Sequence, residues 1–228
     1  MPVRQRKPAR ENGSPSPGPN DGHMTMVKTL MFADYITLLN CLCGVVSIFS
    51  SAQFMKTGDL GVLRRAMAFL PFGLFFDFMD GRVARWRDNS SLMGQELDSL
   101  ADLVSFGVGP ATVGYVIGLN TLLDQAVLLF FVLCGLTRLA RFNVTVAEIP
   151  KDKGGKSKYF EGTPIPTTLT IVAIMFYLER RGLILDQIYG GVYELVQGVP
   201  LTAIHPFVLV FAVSGCLMTS RTIKIPKP

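Results

Sequence analysis

The chain is poor in the residues that build zinc centres, disulfide frames and soluble surfaces. It has two histidines, His23 and His205, four cysteines, and only 17% charged residues among 228. Cys41, Cys43, Cys134 and Cys216 lie in apolar runs with no C-x-x-C spacing and no paired histidines. Zinc and disulfide roles are therefore disfavoured, and reduced thiols within helices are expected. The scarcity of charge, with 49% hydrophobic residues and a mean hydropathy of +0.38, argues against an ordinary soluble domain and for a single integral membrane domain. A net charge of +5 does not redirect this reading to nucleic acid. The basic residues are dispersed between apolar stretches, without aromatics interleaved on a polar surface, so no nucleic-acid partner is expected.

The first 22 or so residues are rich in Pro, Gly, Ser and Arg and contain no apolar stretch able to act as a signal-peptide core. Residues 1–30 are expected to form a disordered cytosolic tail, residues 31–221 an all-α domain of six transmembrane helices, and residues 222–228 a short cytosolic C-terminal tail. The apolar runs place the six spans at about 36–55, 66–78, 97–116, 126–141, 165–178 and 206–218. Several are shorter than the roughly 20 residues a straight span needs, which points to amphipathic helix ends lining a polar cavity. Pro110 and nearby glycines are expected to bend the third span.

Seventeen of the 22 Lys and Arg fall in the N-terminal tail, the second-to-third and fourth-to-fifth connections, and the C-terminus, counting with the fourth-to-fifth connection Arg138 and Arg141 at the end of the fourth span. Positive-inside logic then places both termini and the 77–102 region on the cytosolic side.

That region holds what a membrane protein ordinarily avoids: four carboxylates, Asp77, Asp80, Asp98 and Asp102, at the ends of two apolar runs. Asp77 and Asp80 share one helical face at i, i+3, and Asp98 and Asp102 share one at i, i+4. Unpaired, they would repel one another and take up protons. Two Mg²⁺ or Mn²⁺ ions offset that charge, suit an all-oxygen ligand set, and can clamp a diphosphate. Gly81, Ala84 and Gly94 leave room for a nucleotide diphosphate against the helix backbone, and Arg85 is placed to bind a phosphate oxygen. Upstream, Asp34, Thr37 and Asn40 share one helical face, with Asp34 suited to a helix N-cap.

The run Asp77-x-x-Asp80-Gly81-x-x-Ala84-Arg85, followed by Gly94, Asp98 and Asp102 at gaps of eight, three and three residues, resembles the signature of the CDP-alcohol phosphatidyltransferase family. The stretch ADYITLLN from Ala33 to Asn40 is similar to that family's first-helix element PNLLTLLN, departing from it at Ala33 and Asp34. The resemblance implies a six-helix membrane enzyme, usually a homodimer, that holds two divalent ions and displaces CMP from a CDP-linked donor by attack of an alcohol. It implies that Asp77, Asp80, Asp98 and Asp102 are metal ligands, that Asp102 is also the catalytic base, and that Thr37, Asp80, Gly81, Ala84, Arg85 and Gly94 contact CDP-diacylglycerol.

The segments TRLARFNV (Thr137 to Val144) and KYFEGTPIPT (Lys158 to Thr167) look like those of the phosphatidylserine synthase branch, in which L-serine is the acceptor. Independently, Arg138 and Arg141 lie i, i+3 at the end of the fourth span, where guanidinium groups can grip an amino-acid carboxylate. Phe142 and Asn143 are further pocket candidates, and Glu161 and Thr163 candidates for the serine ammonium and hydroxyl. Lys151, Lys153, Lys156 and Lys158 read as a solvated loop facing lipid headgroups. A sister enzyme using inositol, glycerol 3-phosphate or another alcohol is the alternative. A divalent-cation transporter is a remote one, since its carboxylates would be spread through the membrane depth. The long Pro- and Ser-containing tail favours a eukaryotic enzyme of the endoplasmic reticulum over one of a bacterial inner membrane.

Overall fold

The computed structural model describes the backbone over residues 32–86, 92–148, 159–161, 163–188, 190–194, 203–220 and 224–226. The expected N-terminal tail and the Lys151–Lys158 loop lie outside the described residues. The described residues form six helical rods. They are α1 (Phe32–Thr57), α2 (Leu60–Trp86), a composite rod of α3 (Leu92–Asp102), a π-helical segment (Leu103–Val108) and α4 (Gly109–Val116), then α5 (Leu122–Glu148), α6 (Leu169–Arg180) and α7 (Leu209–Thr219). Short 3₁₀ turns at Ile165–Thr168 and Pro206–Val208 open the last two. Two small antiparallel ribbons accompany the helices: β1 (Tyr159–Glu161) pairs with β4 (Lys224–Pro226), and β2 (Tyr193–Glu194) with β3 (Ala203–Ile204).

Local chemistry sets the boundaries. α1 stops at Gly58, whose φ of +65° is a left-handed conformation that glycine adopts without Cβ strain. Asp59 restarts the chain: its Oδ1 accepts the Gly61 N–H at 2.8 Å and its carbonyl accepts the Val62 N–H at 3.0 Å. α1 and α2 are thereby joined by two residues. α5 begins with a reciprocal cap, in which the Thr121 N–H donates to Asp124 Oδ2 and the Asp124 N–H donates to Thr121 Oγ1, both at 3.2 Å.

α2 runs straight from its apolar stretch into the first Asp pair, and the composite rod begins before the second pair. The irregularity expected around Pro110 is the π segment just ahead of it. There the wider turn buries Ser105, Phe106 and Gly107, and the Phe106 carbonyl accepts a hydrogen bond from Thr168 Oγ1 at 2.8 Å.

The core lies between the rods and includes Leu63, Met67, Leu70, Phe106, Ile117, Phe131, Met175 and Phe211. Small residues set the closest approaches. A Cβ on Gly44 of α1 would stand 2.6 Å from Ser105 Oγ and 2.9 Å from Ser105 Cα, and one on Gly109 would stand 2.7 Å from Leu70 Cδ2. Gly44→Leu is therefore expected to force α1 off the π segment. We expect a lower thermal midpoint in detergent and a loss of at least the roughly 1–3 kcal/mol typical of overpacking.

Outward faces are apolar. Phe49 is 70% exposed and Leu129 65%, alongside Leu42, Phe72, Phe75 and Leu133. Such surface suits lipid rather than water. Among the described residues, two helices, Ala33–Thr57 and Leu122–Val144, are long and apolar enough to cross a membrane, and Pro206–Thr219 is a shorter apolar helix.

At the end of the bundle where α1 meets α2, polar groups are paired. Arg64 Nε and Nη2 donate to Glu179 Oε1 at 2.9 and 2.8 Å. The His205 N–H donates to Asp124 Oδ1 at 3.0 Å, while its ring Nδ1 lies 2.6 Å from Oδ2. Glu179, Asp124 and His205 are buried, and these contacts pair Glu179 Oε1 and both Asp124 oxygens while tying the helix ends together.

Candidate active site

The other ends of α1, α2, α3 and α5 converge on the carboxylates. One oxygen from each of Asp77, Asp98 and Asp102 lies within 4.8 Å of the others. Asp77 and Asp102 are in hydrogen-bond contact through their side chains. Asp98 Oδ1 is buried and has no protein partner. Three clustered carboxylates with an orphaned buried oxygen are unfavourable on their own, and a hard divalent cation resolves both the repulsion and the missing partner. The residues present therefore fit a metal.

Asp80 stands slightly apart. It is buried, with 6% exposure, and its Oδ2 accepts a 2.7 Å hydrogen bond from Thr37 Oγ1 on α1. The Gly81 backbone N–H donates to it as well. Asp80 lies beyond the apolar run ending at Phe78. Burial pushes its carboxyl up to about 6, the Thr37 hydroxyl bond works against that shift, and the Asp77 charge adds to it.

The sign of this shift matters. A carboxyl whose folded value lies above its unfolded one holds its proton more tightly in the folded protein. The stability it contributes is full near pH 4 and is lost as pH rises through about 6. A cation held in part by Asp80 would compete with that proton, so its affinity is expected to fall as pH drops through about 6, measurable by titrating Mn²⁺ at pH 5 and pH 7.5.

Asn40 was placed with Thr37 by helical spacing, without a role. In the fold its Nδ2 donates to Asp102 Oδ1 at 3.1 Å across 62 residues of sequence. Ser105, which the sequence did not single out, donates from Oγ to the Asn40 backbone carbonyl at 2.9 Å.

On α5, Arg138 is half-buried, its Nε has no partner, and its guanidinium lies within electrostatic range of Asp102 and Arg141. Asn143 accepts from Ser99 Oγ through Oδ1 and donates from Nδ2 to Glu96 Oε2, both at 3.1 Å. It thus ties α3, which bears Asp98, to the arginine-bearing end of α5. Phe142 is 44% exposed. The Thr163 N–H donates to the Leu217 carbonyl at 3.3 Å, and Ile165 packs against Gly135, less than one turn before Arg138.

Gly81 and Gly94 are half-buried on the facing ends of α2 and α3. The backbone of Ala84 and Arg85 continues α2, but their side chains, like that of Glu161, lie outside the described residues.

A helical bundle with an acidic, cation-competent centre near a half-buried arginine is suited to binding a phosphorylated ligand. Comparison with known sequences makes that reading specific. The family model for CDP-alcohol phosphatidyltransferase matches residues 30–215, and the chain belongs to that family. It is 55% identical over 210 residues to the CDP-diacylglycerol–serine O-phosphatidyltransferase of Saccharomyces cerevisiae, covering 92% of this chain and 75% of the yeast protein. Proteins of the same name from Bacillus subtilis and Methanocaldococcus jannaschii are 38% and 31% identical over 164 and 195 residues. Those matches cover 71% and 83% of this chain, and 84% of each relative.

Proposed function

We infer that the protein transfers the phosphatidyl group of CDP-diacylglycerol to the hydroxyl of L-serine, forming phosphatidylserine and releasing CMP. The observation that carries this reading is the Asp77, Asp98 and Asp102 cluster lying beside Arg138, in a chain similar over most of its length to serine phosphatidyltransferases.

Asp77, Asp80, Asp98 and Asp102 would hold two divalent ions, Mg²⁺ or Mn²⁺, which supply charge neutralisation and Lewis acidity at the diphosphate. The chain's own residues do the rest. Thr37 fixes Asp80, and Gly81 and Gly94 leave space for the nucleotide, with Ala84 and Arg85 completing that surface. Arg138 and Arg141 receive the serine carboxylate, with Phe142 and Thr163 bordering the acceptor.

Asp102 takes the proton from the serine hydroxyl. The freed oxygen forms a bond to the lipid-bearing phosphorus, and the bond from that phosphorus to the CMP oxygen breaks, CMP leaving with the electron pair. Placing the hydroxyl against a base and an electrophile already oriented accounts for most of the rate.

The helical rods read as six membrane spans, with the acidic end facing the cytosol and the exposed faces of α1, α2 and α5 contacting membrane lipids. In a eukaryotic cell the endoplasmic reticulum is the expected membrane, and a homodimer the expected assembly.

The test is incorporation of radiolabelled serine by the purified full-length protein in mixed micelles. Phosphatidylserine is expected to form only with CDP-diacylglycerol present, to vanish after chelation by EDTA, and to return with Mg²⁺ or Mn²⁺. Inositol or glycerol 3-phosphate outcompeting serine would instead assign the sister activity, since neither carries a carboxylate for Arg138.

A further inference from the structure

We propose that Asn40 is a positioning residue for the transfer reaction, one that fixes the carboxylate of Asp102 through the hydrogen bond from its side-chain amide; this rests on the reading of Asp102 as base. The amide is bonded through its nitrogen, while its oxygen is buried without a hydrogen-bond partner. Asn40 is fully buried, and its Nδ2 donates to Asp102 Oδ1 at 3.1 Å. Its Oδ1 lies over Gly73 of α2, where a Cβ would come within 2.9 Å. Its backbone carbonyl is held by Ser105 Oγ at 2.9 Å, and Ser105 itself is seated against Gly44. Residues from α1, α2 and the π segment thus form one frame whose single product is the orientation of this amide.

With Oδ1 of Asp102 engaged by Asn40 and the carboxylate also in contact with Asp77, its rotation is restricted. The π turn contributes directly: by widening the helix immediately after Asp102, it brings Ser105 onto α1. Neighbours of this kind orient a reacting carboxylate without touching substrate, and their loss commonly costs about 10–100-fold in activity.

The test uses the full-length protein in mixed micelles with CDP-diacylglycerol, serine and Mn²⁺, comparing Asn40→Leu, which keeps volume, Asn40→Asp, which keeps shape but removes the donor, and Gly73→Ala, which presses on the amide without altering it. For both Asn40 variants kcat is expected to fall about 10–100-fold while KM for each substrate stays within about threefold, with Asn40→Asp at least as impaired as Asn40→Leu. Gly73→Ala is expected to lose kcat to a smaller degree with the same constancy of KM, and it keeps the question open to measurement if the Asn40 variants do not fold. A kcat within twofold of the parent in folded variants overturns the proposal, as does a rise of both KM values in step with the lost rate, which marks a disassembled site. Asp102→Asn is measured alongside. If that variant keeps its activity, the base assignment fails; if it is inactive while the Asn40 variants are unimpaired, only the positioning role fails.

Discussion

Replacing Asp102 by Asn is expected to lower kcat for phosphatidylserine formation by at least about a thousandfold, within the 10²–10⁴-fold range of general-base contributions, while the protein still folds and binds CDP-diacylglycerol. The substitution is nearly isosteric and preserves an oxygen that can accept the Asn40 amide bond, so the frame around the residue survives. What it removes is the ability to take a proton and one unit of negative charge from the cluster with Asp77 and Asp98. A serine hydroxyl ionises far above neutral pH, and without a base within hydrogen-bond reach the attacking oxygen keeps its proton. Folding is monitored by thermal unfolding in detergent and donor binding by equilibrium titration with CDP-diacylglycerol. Full activity in a folded variant would remove Asp102 from the role of base.

The carboxylates were legible in the sequence because their chemistry is improbable. Four Asp at i, i+3 and i, i+4 spacing beside apolar runs have few structural explanations, and the fold does bring Asp77, Asp98 and Asp102 together. The rods were legible for the same kind of reason: each follows an apolar run, and α2 and α3 extend past the apolar limits to carry the charged pairs. Among the described residues, only two of the rods contain a helix long and apolar enough to cross a membrane. α2 carries Arg64 and Arg65 near one end and Asp77 and Asp80 toward the other, so charged residues dilute its average hydropathy.

Other features depend on partners far away in sequence, and no local pattern encodes them. Asn40 and Thr37 look alike on the first helix, yet one meets Asp102 and the other Asp80. The same holds for Ser105 on the Asn40 carbonyl, Thr168 on the Phe106 carbonyl, and His205 on Asp124 across 81 residues. Glycine at 44 and 109 is the one local trace of such tertiary closeness, because a side chain there would collide with Ser105 or Leu70. The pairing of residues 224–226 with 159–161 had no signal at all, since both segments are three residues long and lack alternating polarity.

Arg138→Ala is expected to raise KM for serine roughly ten- to a hundredfold and to leave KM for CDP-diacylglycerol almost unchanged. A charged hydrogen bond contributes about 1.5–3 kcal/mol, and each 1.4 kcal/mol is a factor of ten. The geometry motivates the selectivity. Arg138 is half-buried, and its Nε lacks a protein partner. A buried guanidinium donor left unpaired calls for an anion, and the nearby charge of Arg141 adds to the positive potential at Arg138. Asp102 lies within electrostatic range of the same guanidinium. Under the proposed assignment, the carboxylate of serine would meet Arg138 and its hydroxyl Asp102, which would couple recognition of the acceptor to the position of the proton acceptor. Arg138→Lys is expected to recover part of the loss, because an ammonium restores the charge but not the planar fork that binds a carboxylate through two bonds. Steady-state kinetics with each substrate varied in turn decides the matter: equal rises in both KM values would mean that Arg138 supports the site as a whole, and a rise confined to the liponucleotide would move this arginine from the acceptor to the diphosphate.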